Sequence, residues 1–490
     1  MAGQVFGRRW SVWMADTVLS RFPVLDGRWA YDYGVICSGL AQVYGITGDE
    51  KYFEYIKTNM DRFLLPDGTI RYYDRELYNL DYVNNGKTLL YLYRKTGERR
   101  YSDAAALLRQ QLFSQPRNSL GGFWHKKCYP WQMWLDGIYM AQPFYAEYLK
   151  MFGKDFPDGT DSSQLSSDQP DGADSSQLSS GQPDGADSTQ LSSDQPDGTD
   201  STQLSSSQPD GTDSSQRSSD QPDGAVSPQR SSDQEGPIAF DPAAVRAFLA
   251  DKQYDRWTMT ALYDQTDSGL FADVLLQFRL ADSYMKDPET HLLYHGWDEK
   301  RECFWADPET GLSANFWGRS IGWYACALVD TLDHIEEAED REVLISMVRD
   351  LAGALISVQS KDTCVWYEVP DRADDPANYP EASCSCMFVY FLLKAVRKGY
   401  IDRSFLEPAK RGFYGVIRSF IEVEQDDLLT LKGTVYGAGL GGDDIRDGSY
   451  EYYVSEPRKN NHLLGIGPFL MAASEMERDR FVETAEIEGR

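Results

Sequence analysis

Two turns of matching composition, Thr47-Gly48-Asp49-Glu50-Lys51-Tyr52 and Thr96-Gly97-Glu98-Arg99-Arg100-Tyr101, stand 49 residues apart. Each reads as a glycine that ends one helix, followed by an acidic start to the next. A stretch of that length holds one helical hairpin with its connections, so the spacing points to an array of helix pairs. The flanking periodicity agrees. Ser11–Leu19 carries Val12, Ala15, Val18 and Leu19 at helical spacing, and further helices are expected over Tyr33–Tyr44 and Thr88–Tyr93. In the second half the pattern predicts helices at Pro242–Asp251, Leu270–Met285, Phe316–Glu336, Arg341–Gln359, Ser383–Lys398, Arg403–Phe420 and Gly465–Glu475. The total is about twelve to thirteen helices with no βαβ pattern. Leu292–Trp297 and Val365–Val369 read as short strand-like connections.

One tract breaks the helical pattern. Asp161-Ser162-Ser163-Gln164-Leu165-Ser166-Ser167-Asp168-Gln169-Pro170-Asp171-Gly172-Ala173 recurs with small changes from Asp174, Asp187, Asp200 and Asp213, a period of thirteen. These units carry too little apolar surface to offset the entropy of ordering, so residues 154–236 are expected to be a disordered insert. Helices of one style on both sides make the chain a single domain interrupted, with residues 1–153 as its first part and 237–490 as its remainder. The stretch 155–236 holds 17 acidic residues against two arginines, about half of the formal charge of −29 on the 490-residue chain. The rest is therefore only moderately acidic. Nucleic acid and anionic membrane surfaces are poor partners for such a chain, whereas a small anion met by locally gathered cations is not.

The seven cysteines are odd in number and scattered, which argues against a disulfide framework, and Cys384-x-Cys386 lacks the second pair of a zinc site. The N-terminus shows an amphipathic Trp10–Phe22 segment instead of a long apolar leader, and no apolar run approaches eighteen residues. A soluble, reduced, cytoplasmic protein is the expectation.

Chemistry-bearing residues gather in four places. Gly121-Gly122-Phe123-Trp124-His125-Lys126 and Trp131-Gln132-Met133-Trp134-Leu135-Asp136-Gly137-Ile138-Tyr139-Met140 crowd a carboxylate among aromatics and cations. That suits a site which binds a sugar acid and moves a proton. Alternatively, Trp131, Trp134 and Tyr139 are core and Asp136 caps a helix; spacing alone leaves both readings open. Asp81, in Tyr78-Asn79-Leu80-Asp81-Tyr82, has the same two readings. Tyr294-His295-Gly296-Trp297-Asp298 is the third cluster, and Asn315-Phe316-Trp317-Gly318-Arg319-Ser320-Ile321-Gly322-Trp323 the fourth. In a helix Arg319 and Trp323 share a face. An arginine buried there needs an anion, either a protein carboxylate or a substrate's. His334 sits in a polar helix tail and reads as solvated surface. There is no H-E-x-x-H, no phosphate-cradling glycine loop and no G-x-S-x-G elbow.

Several of these stretches resemble glycoside hydrolase family 105, the unsaturated rhamnogalacturonyl hydrolases, which have unsaturated glucuronyl hydrolases as relatives. The resemblance lies in Trp29–Gly34, Trp131-x-Met133-Trp134-x-Asp136-Gly137-x-Tyr139-Met140, His295–Asp298 and Phe316-Trp317-Gly318-Arg319-x-x-Gly322-Trp323. It continues through Glu381–Ser383, Met387–Tyr390, Gly437–Gly439 and Arg446–Tyr453. It runs in order from near the N-terminus to about Glu475 and omits only the repeats. It implies an all-α (α/α)6 barrel of six helical hairpins, with the site at one end. It further implies removal of a terminal 4,5-unsaturated galacturonate from lyase-cut pectin oligosaccharides, with no metal or cofactor. By residue-by-residue transfer, Asp136 is the acid, supported by Asp81. Tyr31, His125, Lys126, Trp134, His295, Trp317, Arg319 and Trp323 hold the substrate. An unsaturated glucuronyl hydrolase, an ordinary barrel glycosidase and a non-catalytic sugar-binding barrel are the alternatives.

Overall fold

The computed structural model describes residues 8–25, 27–154, 269–442 and 445–478. The thirteen-residue repeats and the helix expected at Pro242–Asp251 lie outside them. Among the described residues the helices are α1 (Trp10–Arg21), α2 (Tyr31–Thr47), α3 (Glu50–Asp61), α4 (Gly86–Thr96), α5 (Arg99–Ser114), α6 (Leu135–Phe152) and α7 (Ala272–Tyr284). They continue as α8 (Gly318–Thr331), α9 (Ala338–Ser357), α10 (Ala382–Arg397), α11 (Leu406–Phe420), α12 (Tyr450–Ser455) and α13 (Leu463–Arg478).

Six helices form a closed inner ring: α2 packs on α4, α4 on α6, α6 on α8, α8 on α10, α10 on α13, and α13 back on α2. Outside them α3, α5, α7, α9 and α11 each pack on the preceding inner helix, and α1 covers α13 and α2. This alternation is an (α/α)6 barrel built from both flanks of the insert. Burial follows the layers. The outer α3 buries Tyr52, Tyr55, Ile56, Asn59 and Met60, one stripe at helical spacing, whereas the inner α8 is buried on nearly every face.

The two glycine turns do what their sequence requires. Gly48 (φ 68°) and Gly97 (φ 69°) take the left-handed conformation, and their N–H groups donate to the carbonyls of Tyr44 and Tyr93 at 2.8 Å. Asp49 then caps α3 by accepting from Lys51 N. α2 and α4 are thereby returned by outer helices, and the alternation of inner and outer helices along the chain lets the inner ones run the same way.

Some boundaries differ from the sequence expectation. The helix expected over Phe316–Glu336 is shorter at both ends. Residues 403–405 form a separate 3-10 turn before α11, and Val365–Val369 contributes only the bridge Tyr367–Pro380. From Leu292–Trp297 only the end becomes strand: β1 (Gln132–Trp134) pairs antiparallel with β2 (Gly296–Asp298). No described helix is long and apolar enough to cross a membrane.

Candidate active site

The chain enters every inner helix at the same end of the barrel, and the candidate residues sit at those entries. Tyr31 opens α2. Asp81 lies on the 3-10 turn Leu80–Asn85 that leads into α4. Asp136 occupies the first turn of α6, Arg319 and Trp323 the first two turns of α8, Ser383 the start of α10, and His462 precedes α13. The positive ends of six helix dipoles thus lie at one end of the barrel, a field suited to an anion.

Loops bring in the remaining groups. The β1–β2 register sets Trp134 opposite Gly296, and Leu135 N donates to His295 O at 3.1 Å, so His295 lies beside the first turn of α6. His125 is tied by its N–H to Gln132 O (2.9 Å), and its carbonyl accepts from Leu80 N (3.1 Å). Gly137 leaves room for this ring: a Cβ there would lie 3.0 Å from His125 Nδ1 and from Leu80 Cδ1. The ten sequence candidates therefore meet at one end of the barrel, although they are spread from residue 31 to 323.

Asp81 is not a helix cap. Asn79 performs that role, accepting from Asp81 N at 3.0 Å. The Asp81 carboxylate instead meets Lys126 Nζ at 2.7 Å and His125 Nε2 at 3.4 Å. Burial opposes its ionisation, but Lys126 and then His125 outweigh that, and Asp81 is held below the usual carboxylate range. Burial drives His125 down to about 4, so it is neutral near pH 7. Lys126 is held above its ordinary range: burial opposes its charge, and the facing Asp81 overcomes that. Asp81 and Lys126 are a fixed ion pair.

Asp136 does not cap its helix either; the cap position is Trp134, with no side-chain bond. Asp136 Oδ2 lies 3.2 Å from His295 Nε2, close but not aligned as a hydrogen bond, and both atoms are buried. The other ring nitrogen, His295 Nδ1, is 2.8 Å from Tyr453 Oη. If Nδ1–H donates to Tyr453, the Nε2 lone pair faces Asp136 and suits a protonated carboxyl. If Nε2–H is present, it suits the carboxylate. The Tyr453 hydroxyl can donate or accept, so it can hold either tautomer of His295.

Aromatic rings wall this pair. Trp134 stacks on His125 (centroids 4.6 Å) and Tyr129 (4.9 Å), and meets His295 edge-on at 5.6 Å. Trp317 lies 4.6 Å from His295 and stacks with Tyr453. Trp323 sits deeper, edge-on to Tyr31 at 6.5 Å and stacked on Tyr139 at 4.8 Å. The Tyr31 hydroxyl is pushed far above its ordinary range by burial and then by Asp81, so it remains a neutral donor.

Arg319 finds its anion within the protein. Its Nε donates to Ser383 Oγ (2.8 Å), its Nη groups to the carbonyls of Val435 and Tyr436, and Glu381 lies 3.7 Å away. Glu381 also accepts from Ser383 N, Cys384 N and Val435 N, capping α10. Sequence reasoning missed three supporting residues. Tyr453 and Glu381 lay inside quoted motifs without an assigned role. Glu368 carried no signal, being one carboxylate in a strand-like stretch. Its Oε1 accepts from Trp317 Nε1 at 2.8 Å, and burial, reinforced by Glu381, pushes it well above the carboxylate range.

Comparison with known proteins identifies the family. The profile of Glycosyl Hydrolase Family 88 matches residues 10–160 and 259–480. A solved family 105 glycoside hydrolase from C. acetobutylicum ATCC 824 is 34% identical. The match covers 96% of this chain and 100% of that one, with a TM-score of 0.71. The chain is a glycoside hydrolase of the family 88 and 105 group, and it belongs to family 105. The unsaturated rhamnogalacturonyl hydrolase YesR of Bacillus subtilis is 34% identical over 116 residues, 24% of this chain and 30% of YesR. The unsaturated glucuronyl hydrolase of Bacillus sp. GL1 shares the fold at 12% identity, with a TM-score of 0.53 over 96% of this chain and 95% of that one.

Proposed function

We propose that the protein removes a terminal 4,5-unsaturated galacturonate from rhamnogalacturonan fragments, with Asp136 as the acid. The observation that carries this reading is the division of labour between two half-buried carboxylates. Asp81 is clamped by Lys126, while Asp136 faces His295 across 3.2 Å with no cation of its own. In this mechanism Asp136 gives its proton to C4 of the alkene, and the positive charge develops at C5 and the ring oxygen. Water adds to C5, and Asp136, now a carboxylate, takes up the proton that water loses. The hemiketal opens by breaking the C5–ring oxygen bond; the acetal carbon, now a hemiacetal, expels the next sugar. One water is consumed and Asp136 ends protonated. Because bond-making starts away from the anomeric carbon, the carboxylate-spacing rule for ordinary glycosidases does not apply.

Trp134 and Trp317 supply the stacking faces, Tyr31 and Lys126 the donors, and the converging helix N-termini attract the substrate carboxylate. Trp323 forms the floor, while His125 and Arg319 hold the wall that shapes the pocket. YesR supports the choice of rhamnogalacturonan. The Bacillus sp. GL1 fold neighbour makes a glycosaminoglycan-type fragment the second reading. Incubation with unsaturated rhamnogalacturonan and unsaturated chondroitin disaccharides, side by side, tests both. Loss of double-bond absorbance on the first alone supports the proposal, and loss on the second alone replaces it. Cleavage of a saturated galacturonide instead would make the protein an ordinary glycosidase.

A further inference from the structure

Among the C-terminal halves of the inner helices lies a cavity of about 330 Å3, lined by residues that include Gln42, Asp330, Tyr390 and Lys394, and it reaches inward to Lys87 on the first turn of α4. Its carboxylates are already matched. Asp330 takes Lys394 and the Tyr390 hydroxyl, each at 2.6 Å, Asp333 takes Lys394 and Lys398, Glu147 takes Arg94, and Glu475 takes Arg397. These cations stand at the C-terminal ends of α4 and α10, where they neutralise carbonyl dipoles without any ligand. His334, expected on the solvated surface, is half-buried here, and burial lowers it to about 4.

Lys87 is not explained in that way. It sits at the start of α4, far along the helix from those carbonyl ends, and its Nζ is shielded from solvent without a hydrogen-bond partner. It lies over a ring face: Nζ stands 3.4 Å from the Tyr139 centroid. A cation–π contact offsets only part of what desolvating an unpaired cation costs. We propose that this cavity is a second ligand site, for a small oxyanion whose charge pairs with Lys87.

The protonation of Lys87 supports the geometry. Burial brings it down to about 7, against the opposing pull of Asp330; Cys326 also favours its charge, and Lys394 disfavours it. From the other packed helices Tyr139 and Gln42 face it as neutral groups. An anion alongside would restore the charge, so binding above pH 7 should take up a proton.

Calorimetry on the full chain with sulfate and with D-galacturonate, in buffers of different ionisation heat, tests this. At pH 8 nearly one proton is taken up per anion bound, and at pH 5.5 almost none. Lys87→Met and Lys87→Gln weaken binding by about tenfold or more. Tighter sulfate binding identifies an inorganic-type oxyanion, and tighter galacturonate binding a carboxylated sugar. Binding of neither anion up to tens of millimolar, or binding without proton uptake at pH 8, overturns the proposal. So does galacturonate binding that survives both variants, because it then reports the catalytic end. The proton measurement needs no variant, and loss of turnover at Asp136 would leave it untouched.

Discussion

Replacing Asp136 by asparagine tests the proposed chemistry most sharply, because the structure separates its effect on rate from its effect on stability. Asparagine has the same shape and fits the same space against His295 Nε2 at 3.2 Å. It accepts or donates there as the imidazole requires, but it has no acidic proton. General-acid contributions of about 10²- to 10⁴-fold correspond to roughly 3–5.5 kcal/mol of barrier, which is the loss expected in kcat. Stability should change far less. Asp136 makes no capping bond, so the isosteric asparagine removes no helix cap. The assay follows the conjugated double bond of an unsaturated rhamnogalacturonan disaccharide by ultraviolet absorbance, alongside thermal unfolding and disaccharide binding. The expected variant is folded, binds its substrate and turns over at least a hundredfold more slowly. Turnover near that of the parent protein would refute the assignment of Asp136.

Three further outcomes follow from neighbouring contacts. Tyr453→Phe removes the partner of His295 Nδ1 and should lower kcat about tenfold, with a displaced pH profile and little change in KM; an unchanged profile would show that the hydroxyl does not set the His295 tautomer. Arg319→Lys cannot reproduce the fork that reaches Ser383, Val435 and Tyr436, so it should cost about 3 kcal/mol in denaturant unfolding; a loss of substrate affinity in a fully stable variant would instead place Arg319 on the substrate. Finally, stability should fall on acidification. His125 at about 4 in the folded chain and near 6.5 unfolded means that the unfolded state binds more protons between those values. About 3 kcal/mol is then lost as pH drops from 6.5 to 4, and Asp81 acts in the same direction lower down. A Tm that stays flat over that range would contradict the burial of His125.

The barrel was legible because its information is local and repetitive. The Gly48 and Gly97 turns, 49 residues apart, need only backbone sterics to be read, and the apolar stripes need only helical period. Closure was a different matter. Nothing in α2 or α13 announces that they touch, and the ring was an expectation carried by family resemblance until their packing against one another completed it.

The candidate site divides along the same line. Residue type and local crowding singled out Asp81, His125, Lys126, Asp136, His295 and Arg319, and helical spacing put Arg319 and Trp323 on one face. Which carboxylate would be clamped was not legible. Asp81 and Asp136 look alike as aspartates near a predicted helix start, and only the fold puts Lys126 on one and His295 on the other. The same limit hid Glu368 and left the anion beside Arg319 undecided between a substrate and Glu381. Sequence by itself determined the helical hairpins and the kinds of group on offer, because both depend on neighbours a few residues away. Pairing, burial and therefore protonation depend on atoms brought together from up to hundreds of residues apart, and those the tertiary structure alone decided.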